Sequence, residues 1–187
     1  KRQLLTMGAE HPRDLPVEGR ELEGVHFAME FLPQATKRVH GDQLPPEDDI
    51  LAGAKNVVVL GGGDTGSDCV GTSHRQGAKS VTSIELLEEP PHGYNPATPW
   101  PMWPMIARSS SSHDEGGTRK YAMMTKRFSG SNGRIEKLHG VEVRFGDPAA
   151  SGRPTMEEVP GSEFEMDADL VLLALGMREA RGLPPPD

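Results

Sequence analysis

Apolar residues follow two kinds of pattern along this chain. The first is the short unbroken run. "VVVL" (Val57–Leu60) is continuously apolar and mostly β-branched, which suits a strand buried on both faces of a parallel sheet. "ADLVLLALG" holds a second such strand, and "SVTSIELL" reads as a third. Leu4 and Leu5 look like the end of a further strand. The second pattern is spaced. Ala28, Phe31, Leu32, Ala35 and Val39 recur at helical intervals and predict a helix within "VHFAMEFLPQATKRV", which Pro33 should break or restart. Alternation such as Val141, Val143 and Phe145 predicts antiparallel strands in "GRIEKLHGVEVRF" and "TMEEVPGSEFEM", and "KYAMMTKRFSG" reads as one more strand.

The run at Val57 leads into three glycines, then a helix to about Gln76, where Gly77 can take a left-handed C′ conformation. Strand, tight turn, helix, strand is a βαβ unit. The expected fold is a Rossmann-like α/β domain: a parallel sheet flanked by helices, plus an antiparallel β meander. The stretch from Glu88 to Gly117 is too rich in proline for a regular core element, and Trp100 and Trp103 are candidate buried anchors for it. "LLTMG" (Leu4–Gly8) echoes "LLALG" (Leu172–Gly176), either by chance or as equivalent strand ends of two related domains.

Composition narrows the classes. A chain of 187 residues fits one domain, or a domain with an extended flank. A formal net charge of -8 argues against nucleic-acid binding, which demands a basic face. No apolar run approaches the ~20 residues of a membrane span. The single cysteine, Cys69, excludes an internal disulfide and a cysteine-ligated iron–sulfur cluster within the chain, and fits a reducing, cytoplasmic setting. It is expected to pack between helix and sheet rather than to do redox chemistry. The seven histidines are scattered with no HExxH, so no metal site is expected.

The candidate chemistry lies in the glycine turn. Gly61, Gly63 and Gly66 make G-x-G-x-x-G, directly after a strand and opening a helix, the context of the dinucleotide fingerprint. Gly61 permits the tight turn, Gly63 the close approach of a pyrophosphate, and Gly66 the close packing of helix on strand. Gly62 lies within the same turn. The helix N-terminus offers free N–H groups and a partial positive charge to the phosphates. Thr65 is a candidate hydroxyl donor to phosphate. Asp64 would repel a pyrophosphate and is expected to cap backbone N–H groups or to face a partner domain. Glu85, 19 residues after Gly66, either accepts the adenosine ribose hydroxyls or is a solvated strand end. Arg75 and Lys79 either reach a 2′-phosphate or are ordinary surface charges. A P-loop is excluded because "GGGDTGS" has no lysine, and neither tyrosine heads a Tyr-x-x-x-Lys.

"VVVLGGGDTGSDCVGTSHRQGAKSVTSIELL", together with "PRDLPVEGRELEGVHFAMEFL", "NPATPWPMWP", "SSSHDEGG", "MTKRFSG" and "ADLVLLALG", resembles the small (beta) subunit of glutamate synthase at its second dinucleotide-binding motif. The resemblance covers nearly the whole chain. It implies an NAD(P)H-binding domain whose nicotinamide reduces FAD. Electrons then pass through iron–sulfur clusters to a large subunit that makes glutamate from glutamine and 2-oxoglutarate. It implies that the FAD domain and the clusters lie outside this chain, and that the chain alone catalyses nothing. NADPH is the expected nucleotide and NADH the alternative; Glu88 and Glu89 stand where many family members carry a basic residue. The implied layout is 1–52 as a flank from the FAD domain, 53–177 as the NAD(P)H-binding domain with Gly176 at the cofactor crossing, and 178–187 as the linker back. Since hydride passes directly from nicotinamide to flavin, no acid–base catalyst is expected. The alternatives are a noncatalytic NAD(P)-binding regulatory or assembly module, or the electron-input domain of another related flavoprotein oxidoreductase.

Overall fold

The structure is a computed structural model that describes residues 9, 11–46, 49–102, 105–148 and 154–178. Its elements in chain order are β1 (Val25–Phe27), α1 (Ala28–Val39), β2 (Asn56–Leu60), α2 (Asp64–Arg75), β3 (Ser80–Ile84), α3 (Ser111–Asp114), β4 (Thr118–Lys120), β5 (Met123–Ser131), β6 (Arg134–Pro148), β7 (Pro154–Glu158), β8 (Phe164–Asp167) and β9 (Leu170–Leu173). Five strands form a parallel sheet in the order β1-β9-β2-β3-β4. The remaining four form an antiparallel sheet, β5-β6-β7 with β8 also paired to β6.

The unbroken apolar runs have a direct cause. β2 and β9 are neighbours inside the parallel sheet, and both faces of each are covered. Val57, Val59, Leu170 and Leu172 point toward Ala28 and Phe31 of α1 and Cys69 and Val70 of α2. Val58, Leu60, Val171 and Leu173 point the other way, onto Phe128, Ile135 and Leu138 of the antiparallel sheet. A strand buried on both sides has no polar face to show in its sequence. The expected flanking by helices therefore holds for one face, and the antiparallel sheet covers the other.

Tertiary contact overrides several local expectations. α1 runs unbroken through Pro33. The lost N–H bond is offset downstream of the proline, where Gln34 accepts from the Ile50 N–H (2.9 Å) and Arg38 pairs with Asp49 and donates to the Ile50 carbonyl (3.2 Å). Val39, expected on the apolar face, is 86% exposed at the helix end. "VHF" is not helical but the edge strand β1, paired with β9 from Val25↔Val171 to Phe27↔Leu173. Thus β1 extends the parallel sheet at its edge, and α1 packs on one face of that sheet. "KYAMMTKRFSG" is split between β4 and β5 at Ala122, whose φ is 54°. "TMEEVPGSEFEM" likewise forms two strands, β7 and β8.

Trp100 is 91% exposed and anchors nothing in the core. Its loop bonds to itself instead: the Ala107 N–H donates to the Pro91 carbonyl, the Met105 N–H to Thr98 Oγ1 and Asn95 Nδ2 to the Met105 carbonyl. Trp103 and the segment Leu4–Gly8 lie outside the described residues.

Candidate functional site

β2 ends at Leu60, and the chain turns at Gly61 with φ +116°. The Gly61 N–H donates to the Ile84 carbonyl (2.9 Å), and the Ala174 N–H donates to the Leu60 carbonyl (2.8 Å), so β3 and β9 hold the turn from both sides. A Cβ at Gly61 would collide with the Ala174 carbonyl oxygen, and a Cβ at Gly66 with the Gly61 carbonyl oxygen. These two glycines answer to the packing of β2, β9 and α2.

Gly63 answers to something else. It is exposed, it is the N-cap of α2, and a Cβ there would meet no atom within 4 Å. Of the three motif glycines, Gly63 alone faces open space, and the fold does not need its bareness. The Ser67 N–H reaches the Gly63 carbonyl (3.0 Å), which leaves the N–H groups of Asp64, Thr65 and Gly66 without an acceptor in the helix. Donors at a helix N-terminus, next to a glycine that admits close approach, fit the pyrophosphate of a dinucleotide. Asp64 is the first helical residue and exposed, and the cap position falls on Gly63 rather than on the carboxylate.

This turn opens on a cleft of about 740 Å³ at the carboxyl ends of β2, β3 and β9. Gly61, Gly62, Gly63, Asp64, Thr65, Glu85 and Gly176 line it, with Leu60, Ile84 and Ala174 as its floor. From β2 the chain passes through α2 to β3 on one side, while β9 lies on the other. Such a divergence is where open parallel sheets bind ligands. Glu85 follows the last residue of β3, and its carboxylate lies against Gly62, where a Cβ would overlap it. On the β9 side, Gly176 (φ +82°) accepts from the Arg13 N–H (2.9 Å), with Arg13 and Asp14 in the wall, while Met123, whose N–H donates to the Glu85 carbonyl (3.0 Å), and Met124 add to the lining. Asp14 accepts from Arg20 Nε at 2.7 Å, which holds its carboxyl below the usual carboxylate range.

Two expected residues do not join the others. Arg75 is the last residue of α2, about 16 Å along the axis from the first helical residue by helix rise. It pairs there with Glu115. Lys79 precedes β3 at the amino edge of the sheet, its N–H on the Lys55 carbonyl (2.9 Å). Neither lines the cleft, and their placement fits the alternative reading of ordinary surface charges. Arg119, which no sequence motif marks, pairs with Glu85 without itself lining the cleft. It stands on β4 in register with Ser83, and its Nη2 lies 3.4 Å from Glu85 Oε1. No spacing along the chain shows that register, because β4 joins β3 only after 33 intervening residues.

Cys69 is fully buried between α2 and the sheet, and burial pushes its thiol up to about 12. It is held neutral, as expected of a packing residue. Among the described residues, no three His, Cys, Asp or Glu side chains gather to hold a metal ion. Nor, among them, is any helix long and apolar enough to cross a membrane.

Parallel sheet, glycine turn and opposed antiparallel sheet make a Rossmann-like α/β fold that recurs in solved oxidoreductases. The solved structure of Mycobacterium tuberculosis FprA in complex with NADPH superposes with a TM-score of 0.62 over 95% of this chain and 50% of that one, at 18% identity. An FAD-dependent pyridine nucleotide-disulphide oxidoreductase from Desulfovibrio vulgaris does so with a TM-score of 0.51 over 91% of this chain and 34% of that one, at 20% identity. No protein-family model matches the chain. Among curated proteins, the glutamate synthase [NADPH] small chain of Mycobacterium tuberculosis is 48% identical over 176 residues, 92% of this chain and 35% of that protein. The glutamate synthase [NADH] of Schizosaccharomyces pombe is 41% identical over 180 residues, 92% of this chain and 8% of that protein. The chain is a homologue of one segment of the glutamate synthase small chain and spans about a third of the length of the curated small chains it matches.

Proposed function

We propose that the cleft binds NAD(P)H and presents its nicotinamide to an FAD carried by another part of the full-length subunit. In this reading the domain is the electron input of a glutamate synthase, and its partners are that FAD domain and the large subunit. The observation that carries it is Gly63: bare, open, and at the amino end of α2, while its two companion glycines are taken up by packing.

Each part of the cleft then has a task. The N–H groups of Asp64, Thr65 and Gly66 and the hydroxyl of Thr65 hold the pyrophosphate. Glu85 marks the adenosine end, one strand over from the turn. Gly176, with no atom within 4 Å of where its Cβ would lie, leaves the other end open for the nicotinamide. The bound dinucleotide supplies the hydride. The protein contributes position, since holding donor and acceptor in a near-attack geometry removes much of the entropic barrier. No side chain of the cleft needs to move a proton. The cytoplasm is the compartment this role expects.

Titration calorimetry of the chain with NADPH and with NADH tests the proposal. Saturable binding of a dinucleotide, lost in Gly63→Val with unchanged circular dichroism, is the expected result. A folded chain that binds neither dinucleotide would overturn it.

A further inference from the structure

A second cavity, of about 600 Å³, lies at the other end of the parallel sheet, among the amino ends of β1, β9 and β2 and against α1. It shares no lining residue with the nucleotide cleft. Lys55 stands on its wall just before β2, and the glycine turn begins only after Leu60, about 16 Å further along the strand by strand rise. Its size is within the ordinary range of small-molecule sites.

The charges around this cavity are unevenly satisfied. Its four carboxylates each have a partner. Glu23 pairs with Arg134 (3.2 Å), Glu30 accepts from the Phe27 N–H (2.8 Å), Asp49 pairs with Arg38, and Asp169 Oδ2 accepts from both the N–H and Nδ2 of Asn56 (2.8 Å each). Lys55 is the exception. Its side chain is half-buried, and its ammonium has no hydrogen-bond or ion-pair partner among the described residues. Burial lowers its pKa, and repulsion from Arg134 adds to the shift; Asp169 and Glu23 attract it from beyond ion-pair distance. His26 also lines the cavity, and burial pushes its ring below the ordinary histidine value, so it is largely uncharged at neutral pH.

This pattern selects among ligands by charge. A simple anion would satisfy Lys55 but face four carboxylates. A simple cation would suit the carboxylates but face an ammonium that nothing neutralises. A zwitterion answers both. We propose that the cavity binds a free α-amino acid, its carboxylate on Lys55 and its ammonium toward Asp169, across the neighbouring starts of β2 and β9. The excess of carboxylates disfavours an acidic side chain on the ligand, and the neutral His26 ring can hydrogen-bond a neutral polar one. The site stands apart from the dinucleotide reading and does not depend on it.

Titration calorimetry of the chain with L-glutamine tests the proposal, with circular dichroism as the check on folding. Saturable binding is expected. Glutaramate, which lacks the α-ammonium, and 4-aminobutanamide, which lacks the α-carboxylate, should each bind about ten-fold or more weakly, the scale of one lost charge-assisted hydrogen bond. Lys55→Met should weaken L-glutamine by a similar factor and leave 4-aminobutanamide unchanged. Asp169→Asn should weaken L-glutamine and leave glutaramate unchanged. No saturable binding of L-glutamine by the folded chain overturns the proposal, as does glutaramate binding as tightly as L-glutamine. Unchanged affinity for L-glutamine in folded Lys55→Met, or in Asp169→Asn if the lysine variant does not fold, overturns it too. L-Glutamate binding as tightly as L-glutamine would overturn the assignment of a neutral side chain. The outcome for NADPH and NADH bears on none of these results.

Discussion

Gly61, Gly63 and Gly66 share one motif and answer to different constraints. At Gly61 the φ of +116° and the Ala174 carbonyl both forbid a side chain, and at Gly66 the Gly61 carbonyl does. Gly61→Ala and Gly66→Ala should each cost about 2–4 kcal/mol, read as a lower urea midpoint. Gly63→Val should leave that midpoint nearly unmoved and weaken nucleotide binding by about ten-fold or more, because the valine projects only into space the pyrophosphate needs. Equal destabilisation by all three changes would show that Gly63 too serves packing. Cys69 carries a different prediction. Its thiol is raised by burial from 9.0 to about 12. The unfolded chain therefore loses this proton first, and stability should fall as pH rises from about 9 toward 12, by up to ~1.4 kcal/mol per unit. The unfolding free energies of the wild type and Cys69→Ala, compared in urea at about pH 8 and 10.5, should draw together at the higher pH. Below the unfolded pKa both states hold the proton and the difference is constant.

At the scale of elements, α1 shows how far local signals reach. Phe31, fully buried, and the clamp of Gln34 and Arg38 on residues 49–50 keep the helix continuous across Pro33. Pro33→Ala restores a donor for the Met29 carbonyl and removes the ring's clash with it. It should raise stability by about 1–3 kcal/mol in thermal unfolding. A fall instead would mean that the pyrrolidine ring packs better than a methyl group. β2, α2, β3 and β9 could be read directly from the sequence, since an unbroken apolar run, a glycine turn and a C′ glycine are all local. β1 could not, because "VHF" becomes a strand only through its pairing with β9, more than 140 residues away. The candidate site divides the same way. Its glycines, Thr65 and Glu85 are spaced within one βαβ unit. Arg119 enters through the register of a parallel neighbour, which leaves no periodic trace. The displacement of Arg75 was within reach of helix rise alone, since 12 helical residues carry it to the far end of α2.

At the scale of the whole molecule, the sequence holds one G-x-G-x-x-G fingerprint, and the dinucleotide proposed above accounts for its cleft. Incubated with FAD and desalted, the chain should emerge colourless, and NAD(P)H should not be oxidised by the chain with free FAD beyond the rate of a protein-free control. A stoichiometric yellow complex would place a flavin site within these residues. A last consequence comes from the segments beside Gly176. Pro12 bridges Met177 in antiparallel fashion, and the Arg178 N–H donates to the His11 carbonyl at 2.9 Å. The polypeptide thus arrives at the domain and departs from it as a single two-stranded stalk, rooted at the open end of the cleft. Everything between residues 13 and 176 hangs from that stalk. A unit tethered in this way can be inserted into a loop of a host fold without prising the host apart, because both cut ends fall together. Within a longer chain, such a unit would join its neighbour next to Gly176. The end of the cleft proposed for the nicotinamide would then lie nearest that junction, and the end proposed for the adenosine farthest from it.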